Sequence, residues 1–356
     1  MNLNNIINYH QRQRVRSSIK RMWRWEFWPM SLFYAPVVIY IVGLVIRYRG
    51  LTFTAVNPGL PGSGFIGENK SDSLLQLQKD NAQLTAKTTL ILQANTPDKK
   101  YQQCKVFMQE NKLSYPVILK PDFGQRGIDV AIIYNEKSLV DYLAEAVFDT
   151  VLQEYIDGVE FGVFYMRQPD EKNGKIFSIT HKCFPSITGD GVSRLDELIS
   201  QHPRLHYMAA FLFREHHDNL HTVPAKGEEV NVVQLGSHCR GSLFLEGQQY
   251  NTPELVQVVD NLSQQIDGFY FGRYDIRAES IEAFQRGDIK VIEVNGVTSE
   301  STNMYDPSYS VFTAYRILCK QWAFAFEIGQ KNIAQGFVPM SVKELVNKVR
   351  VMNSGA

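Results

Sequence analysis

Two short segments, GRYDIRAES and IKVIEVNG, hold the densest set of side chains able to do chemistry in this 356-residue chain. If both are strands, successive side chains point to opposite faces. Arg273, Asp275 and Arg277 then share one face, and Tyr274 and Ile276 share the other. On the second run Glu293 and Asn295 face together, while Ile292 and Val294 oppose them. Adjacent strands would bring Asp275, Glu293 and Asn295 to one point, and hard oxygen donors of this kind suit magnesium carried by nucleotide phosphates. Arg273, two residues before Asp275, can neutralise charge on a transferring phosphoryl group. Taken alone, the pair also reads as an ordinary hairpin with one polar, solvated face.

Two further segments fit the same chemistry. In VILKPDFGQRG, Lys120 closes an apolar run, and Gly124 and Gly127 follow. That spacing places an ammonium and free backbone amides around phosphates. It is not a Walker A loop, since G-x-x-x-x-G-K-[ST] is absent. In QEYIDGVEF, Glu154 and Glu160 flank a tight turn, where backbone groups can read an adenine edge and a carboxylate can hold ribose hydroxyls.

These residues need a scaffold of mixed strands and helices. Helical spacing covers residues 71–84, 97–111, 136–147 and 252–266, and the stretch from Val311 onward is mainly helical. Strands are expected at 117–120, 128–134, 151–156, 159–166 and 175–184, and in the final pair, which is joined through Gln285-Arg286-Gly287-Asp288. Asp157-Gly158 predicts a hairpin between 151–156 and 159–166. The segment after Gly50 reads as a strand leading into a turn-laden loop, and GDGVSRLDELI as a turn into a short helix. Strands and helices without regular βαβ alternation give an α+β class.

Composition narrows the function. Lys plus Arg and Asp plus Glu each number 37, so no net basic field draws the chain to nucleic acid, and no nucleic-acid partner is expected. Cys104, Cys183, Cys239 and Cys319 form no C-x-x-C pair, which argues against a zinc ribbon or disulfide framework and suits a reducing compartment. His216, His217 and His221 read as a solvated loop rather than a metal site.

The first fifty residues stand apart. From Phe27 to Ile46 no residue is formally charged, a length sufficient to cross a bilayer core as a helix. Arg12, Arg14, Arg16, Lys20, Arg21 and Arg24 precede the run, Arg47 and Arg49 follow it, and Trp23, Trp25 and Trp28 crowd its entry. The run is too long and too late for a cleaved signal peptide. A straight span would export the remainder by the positive-inside bias, away from any nucleoside triphosphate. Pro29 and Pro36 suggest instead a bent, monotopic segment on the cytoplasmic face of a membrane (the inner membrane in a bacterium). A helix buried against the body is the other reading.

In order, the three site motifs resemble the ATP-grasp superfamily over residues 95–306. The resemblance implies that Lys120, Gly124 and Gly127 bind phosphates. Glu154, Tyr155 and Ile156 would form the adenine hinge, with Glu160 on the ribose. Arg273 would act in catalysis, and Asp275, Glu293 and Asn295 would hold magnesium. The implied fold is ATP-grasp, two α+β subdomains gripping ATP. Residues 1–50 would be a membrane-associated segment, 51–113 a short N-terminal region, 114–166 the small subdomain, 167–330 the large one and 331–356 a helical tail. IEVNGVTSESTNM is similar to D-alanine–D-alanine ligases, with Asn295-Gly296 where they have Asn-Thr. KCFPSITGDGVSRLDELI is similar to cyanophycin synthetase, with Arg194 where Thr is usual. These likenesses add Lys182 as a nucleotide contact, Arg240 as an acylphosphate contact, and a further lysine among Lys99, Lys100 and Lys105. The implied activity is ATP-dependent ligation of a carboxylate to an amine, using two magnesium ions (manganese as a substitute), on small-molecule or envelope-precursor substrates. A kinase of the same fold and a non-catalytic nucleotide-binding membrane scaffold are the alternatives.

Overall fold

In the computed structural model, which describes residues 24–65, 69–124 and 127–354, the apolar run folds as one helix, α1 (Met30–Arg47). Pro29 precedes it, where a missing N–H costs nothing, and the helix runs on through Pro36. Arg12, Arg14, Arg16, Lys20, Arg21 and Trp23 lie outside the described residues.

The strand expected after Gly50 does not form. Thr52–Ala55 is a buried 3-10 turn, because local side chains satisfy the backbone in place of a ladder. Ser63 Oγ donates to the Thr54 carbonyl at 2.6 Å. Asn57 Oδ1 accepts from the amides of Tyr270 and Phe271 at 2.9 Å each, and its Nδ2 donates to the Phe271 carbonyl at 2.7 Å. One buried amide thereby fastens this segment to the start of a site strand.

Next come α2 (Lys70–Asp80), β1 (Thr88–Ile91), α3 (Pro97–Glu110), β2 (Val117–Pro121), β3 (Ala131–Ile133), α4 (Glu136–Glu145) and β4 (Thr150–Glu154). The helix starts carry their own signals. Thr96 caps α3 with Pro97 in its first turn, and Asn135 and Ser138 form a reciprocal capping box on α4. These four strands make an antiparallel sheet in the order β1-β4-β2-β3. Its apolar side packs Val117, Leu119, Ile91 and Leu152 with Cys104, Leu139 and Leu143 of α3 and α4.

The chain continues through β5 (Val159–Met166), β6 (Lys175–Cys183), β7 (Ile187–Thr188), α5 (Leu195–Gln201), α6 (Ala209–Glu215), β8 (Glu229–Val230), β9 (Leu243–Glu246) and α7 (Pro253–Gln265). It ends with β10 (Phe271–Ala278), α8 (Ile281–Arg286), β11 (Lys290–Asn295), α9 (Val311–Ala334) and α10 (Val342–Ser354). A second sheet takes the order β11-β10-β5-β6-β9, and β7 pairs with β8. The class is α+β. The link between β10 and β11 is longer than a turn: α8, capped by Ser280 and closed by left-handed Gly287, fills it.

The hairpin expected at Asp157-Gly158 is absent. β4 lies between β1 and β2 in one sheet, and β5 lies between β10 and β6 in the other, so neither has an edge left for its neighbour in sequence. The dipeptide still bends the chain. Asp157 Oδ1 accepts from the Gly158 amide at 2.8 Å, and Gly158 has φ +106°. A Cβ there would lie 2.1 Å from the Ala278 carbonyl oxygen.

Two compact units emerge. One gathers the described residues up to Val38 with Lys182–Leu245 and Tyr305–Tyr315. Its core is Leu195, Ile199, Leu205, Leu212, Phe213 and their neighbours. The other comprises Ile39–His181, Glu246–Met304 and the residues from Arg316 on, and contains the four-stranded sheet, β5, β10 and β11. Its main core buries Phe161, Tyr274, Ile276, Val294, Leu255 and Phe284.

Candidate functional site

The strand pair places its polar residues as the alternation predicts. Asp275 lies directly opposite Glu293, and Arg273 directly opposite Asn295, while Tyr274, Ile276 and Val294 point into the core. After Asp275 the register shifts, and the next pair is Ile276 with Val291. Ile292 is the residue left over, as in a β-bulge. Its carbonyl oxygen accepts from Lys120 Nζ at 3.0 Å and from Gln153 Nε2 at 3.1 Å. The irregularity thus ties β2 and β4 of one sheet to β11 of the other, one residue from Glu293.

Lys120 is only 6 % exposed, and its ammonium also donates to Gln153 Oε1 at 3.0 Å. Burial pushes its pKa down and the Glu293 carboxylate opposes that shift, with Lys70 adding to the lowering. Arg273 donates from Nε to Asp275 Oδ1 at 2.9 Å and from a terminal nitrogen to the Glu300 carbonyl at 3.1 Å. Burial disfavours its charge, but Asp275, Glu293 and Glu160 together hold its pKa above the usual guanidinium value. Gly162 lies opposite Asp275 on β5 and borders this pair: a Cβ there would lie in ordinary contact, 3.4 Å from Arg273 Cδ and 3.6 Å from Asp275 Oδ1.

Tyr155, Ile156 and Glu160, the residues expected to hold adenine and ribose, gather around an arginine to which the alternation assigned a face but no role. Arg277 pairs with Glu160 across β10 and β5. Its Nε and one terminal nitrogen donate to Glu160 Oε2 at 3.0 and 2.8 Å, and the other terminal nitrogen donates to the Ile156 carbonyl at 2.8 Å. Its guanidinium lies 5.8 Å from the centre of the Tyr155 ring. Glu154 Oε2 accepts from the Lys87 amide at 3.1 Å. An acidic residue at the start of β5 and a second basic residue on the Arg273 face were the available signals for Arg277.

Lys70 carried no such signal. At the start of α2, its ammonium hydrogen bonds to the Gly124 carbonyl and lies 3.9 Å from Glu293 Oε1. The Ser71 amide donates to Asp122 Oδ1 at 2.8 Å, and the Lys70 amide to the Asp122 carbonyl at 3.0 Å. The start of α2 therefore holds the entry to the glycine loop. Gly127 has φ +72°, in the left-handed region that favours glycine.

Lys120, Gly124, Gly127, Glu154, Tyr155, Ile156, Glu160, Arg273, Asp275, Glu293 and Asn295 all belong to one compact unit. Lys182 and Arg240 belong to the other. Lys182 is buried with its ammonium 5.8 Å from the Phe244 ring centre, and Arg240 pairs with Glu215 at 3.1 Å. Of the three open lysines, Lys100 donates to the Ala146 carbonyl at 3.4 Å and Lys105 lies 3.9 Å from Glu136, while Lys99 is exposed. His216 Nε2 lies 2.9 Å from the Val232 carbonyl.

Among the described residues, no three His, Cys, Asp or Glu side chains are grouped to hold a metal by themselves. The set on β10 and β11 has two carboxylates and an amide, the share a protein contributes when phosphates and water complete an octahedron. The buried Nδ2 of Asn295 has no hydrogen-bond partner among the described residues, so its amide is not locked into the protein on that side. These donors, flanked by Lys120, Arg273 and Lys70, fit a magnesium nucleotide.

Residues 71–162 match the model of the RimK-like ATP-grasp domain. No curated protein matches by sequence. Among solved structures the chain is similar to a bifunctional glutathione synthetase from Pasteurella multocida: 13 % identity over 75 % of this chain and 38 % of that one, TM-score 0.36. It is similar to a D-alanine–D-alanine ligase from Bacillus anthracis, with 17 % identity, 76 % and 70 % coverage and TM-score 0.42. A D-Ala:D-Ser ligase from Enterococcus faecalis gives 12 %, 72 %, 61 % and 0.38. The chain spans 38 % of the length of the glutathione synthetase.

Proposed function

We propose that this chain is an ATP- and magnesium-dependent ligase that activates a carboxylate as an acylphosphate and joins it to an amine. The observation that carries this reading is the direct opposition of Asp275 and Glu293, with Arg273 beside them and Lys120 fastened one residue away at Ile292. The ATP-grasp match over residues 71–162 supports it. A carboxylate is a poor electrophile, so activation must precede attack. Its oxygen bonds to the γ-phosphorus as the bond to ADP breaks. The amine nitrogen then bonds to the acyl carbon as phosphate leaves, and the surplus amine proton passes to solvent.

Phosphoryl transfer depends mainly on positioning and charge neutralisation. Lys120 and Arg273 supply positive charge, and the Ile292 carbonyl and Gln153 aim the Lys120 ammonium. Glu160, held by Arg277, presents a carboxylate to the ribose, with Tyr155 and Ile156 at the adenine edge. Asp275, Glu293 and Asn295 would hold magnesium, which would supply positive charge against the phosphates. Lys182 and Arg240 are proposed as further nucleotide and acylphosphate contacts.

The test is ADP release across amino acids and envelope precursors, with hydroxylamine present to trap an acyl phosphate as its hydroxamate. Asp275→Asn and Glu293→Gln should each lower turnover by at least a hundredfold with circular dichroism unchanged. Near-normal activity of either at saturating magnesium refutes the site. AMP and pyrophosphate as products would mean an adenylating enzyme. A stable phosphorylated product needing no second nucleophile would mean a kinase.

A further inference from the structure

One face of α1 is buried and the other is not. Phe33 stacks between the rings of Trp25 and Tyr315, at 5.3 and 5.4 Å between centroids, and Val37 is buried. Further along, Leu44 joins the core cluster of Phe53 and Phe326, with Ile41 and Val45 packed against it. These positions follow a helical stripe. On the opposite stripe Leu32, Ile39 and Ile46 are 57, 73 and 72 % exposed, and Val38, Val42, Ala35 and Pro36 are exposed beside them. A surface helix of a soluble protein carries charged and polar residues there. This one carries no charged side chain between Met30 and Ile46.

We propose that this outer face docks onto an anionic lipid surface, with α1 lying in the membrane plane rather than crossing it. A crossing helix would have to give up the contacts of Phe33, Val37 and Leu44. An in-plane helix keeps them and offers only Leu32, Ile39, Ile46 and their neighbours to the acyl chains. Charge selects the occupant. Arg24 is exposed before the helix and Arg47 and Arg49 after it. Before Glu26 the chain has six Lys and Arg residues and no acidic one. Two copies meeting through this face would bring like charges together, whereas anionic headgroups complement them. The anionic cytoplasmic leaflet also has access to ATP, although the surface argument does not depend on the catalytic reading.

The full-length protein should float with phosphatidylglycerol-containing vesicles, bind phosphatidylcholine vesicles at least tenfold more weakly, and be released by salt. The double variant Ile39→Glu/Ile46→Glu should lose at least tenfold in vesicle binding, with circular dichroism and ATP affinity unchanged. Single cysteines replacing Leu32, Ile39 and Ile46, labelled with a fluorophore, should report one common depth to depth-graded quenchers. In a crossing helix they would differ by about 10 Å at each step. Stepped depths, undiminished binding by the double variant, or no vesicle binding at all would overturn the proposal. So would a concentration-dependent dimer that the double variant abolishes, since it would show the face covered by a second copy.

Discussion

Arg277 joins the Ile156 carbonyl, the Glu160 carboxylate and the strand that carries Asp275. Lysine would keep the charge but could not serve both partners with a planar fork. Arg277→Met leaves Glu160 buried without its cation and should cost about 3 kcal/mol of stability. Nucleotide affinity should fall about tenfold, or about 1.4 kcal/mol. Urea unfolding and calorimetric titration of ATP check the two effects separately. Unchanged ATP affinity would remove the hinge role from Arg277 and leave a structural ion pair.

Two elements can be tested away from the chemistry. At Gly158 the chain passes from one sheet to the other with positive φ, and a methyl group meets the Ala278 carbonyl. Gly158→Ala combines left-handed strain with that clash and should destabilise by about 2 kcal/mol or more, measured as a lower urea midpoint. The short segment ahead of α1 is held by Glu26, which accepts from Arg204 at 2.9 Å and contacts His238 at 3.0 Å. Burial pushes the Glu26 pKa up, but the His238 hydrogen bond and the Arg204 charge hold it below its ordinary value of 4.5. A carboxylate with a lowered folded pKa adds stability that is complete above the ordinary value and is lost as pH falls through the lowered one. Glu26→Gln should reduce the acid sensitivity of unfolding in that window and cost about 3 kcal/mol at neutral pH, since Arg204 is left without its charge partner. Equal pH slopes in the two proteins would show that Glu26 does not carry this dependence.

At the scale of the whole molecule, a nucleotide at the proposed site would touch both sheets of its unit: Lys120 on β2 on one side, Asp275 and Glu293 on β10 and β11 on the other. Binding should therefore stabilise that unit against unfolding. ATP at a hundred times its dissociation constant should add about 2.7 kcal/mol. That corresponds to a rise of roughly 5–10 °C in Tm for a unit of this size. Magnesium should be required, and Asp275→Asn should remove most of the shift in a fluorimetric melt. An equal shift without magnesium would separate nucleotide binding from the acidic set.

What the sequence determined about this protein was local. Alternation along two strands put Arg273 with Asp275 and Glu293 with Asn295. Lys120 stood at the end of a strand before a glycine loop, and capping residues such as Thr96 marked helix starts. Each signal depends only on neighbours within a few residues, so it is readable before folding. The tertiary structure decided the partnerships. The register that sets Asp275 against Glu293, the leftover Ile292 carbonyl, the Arg277–Glu160 pair and the approach of Lys70 to Gly124 all join residues distant in the chain. The Asp157-Gly158 turn shows the limit most clearly. A turn signal marks where the chain bends, but strand pairing depends on which edges and faces the rest of the molecule leaves to be covered. The same holds for α1, whose apolar residues look alike in sequence and were divided into a packed face and an outer face only by what folded against them.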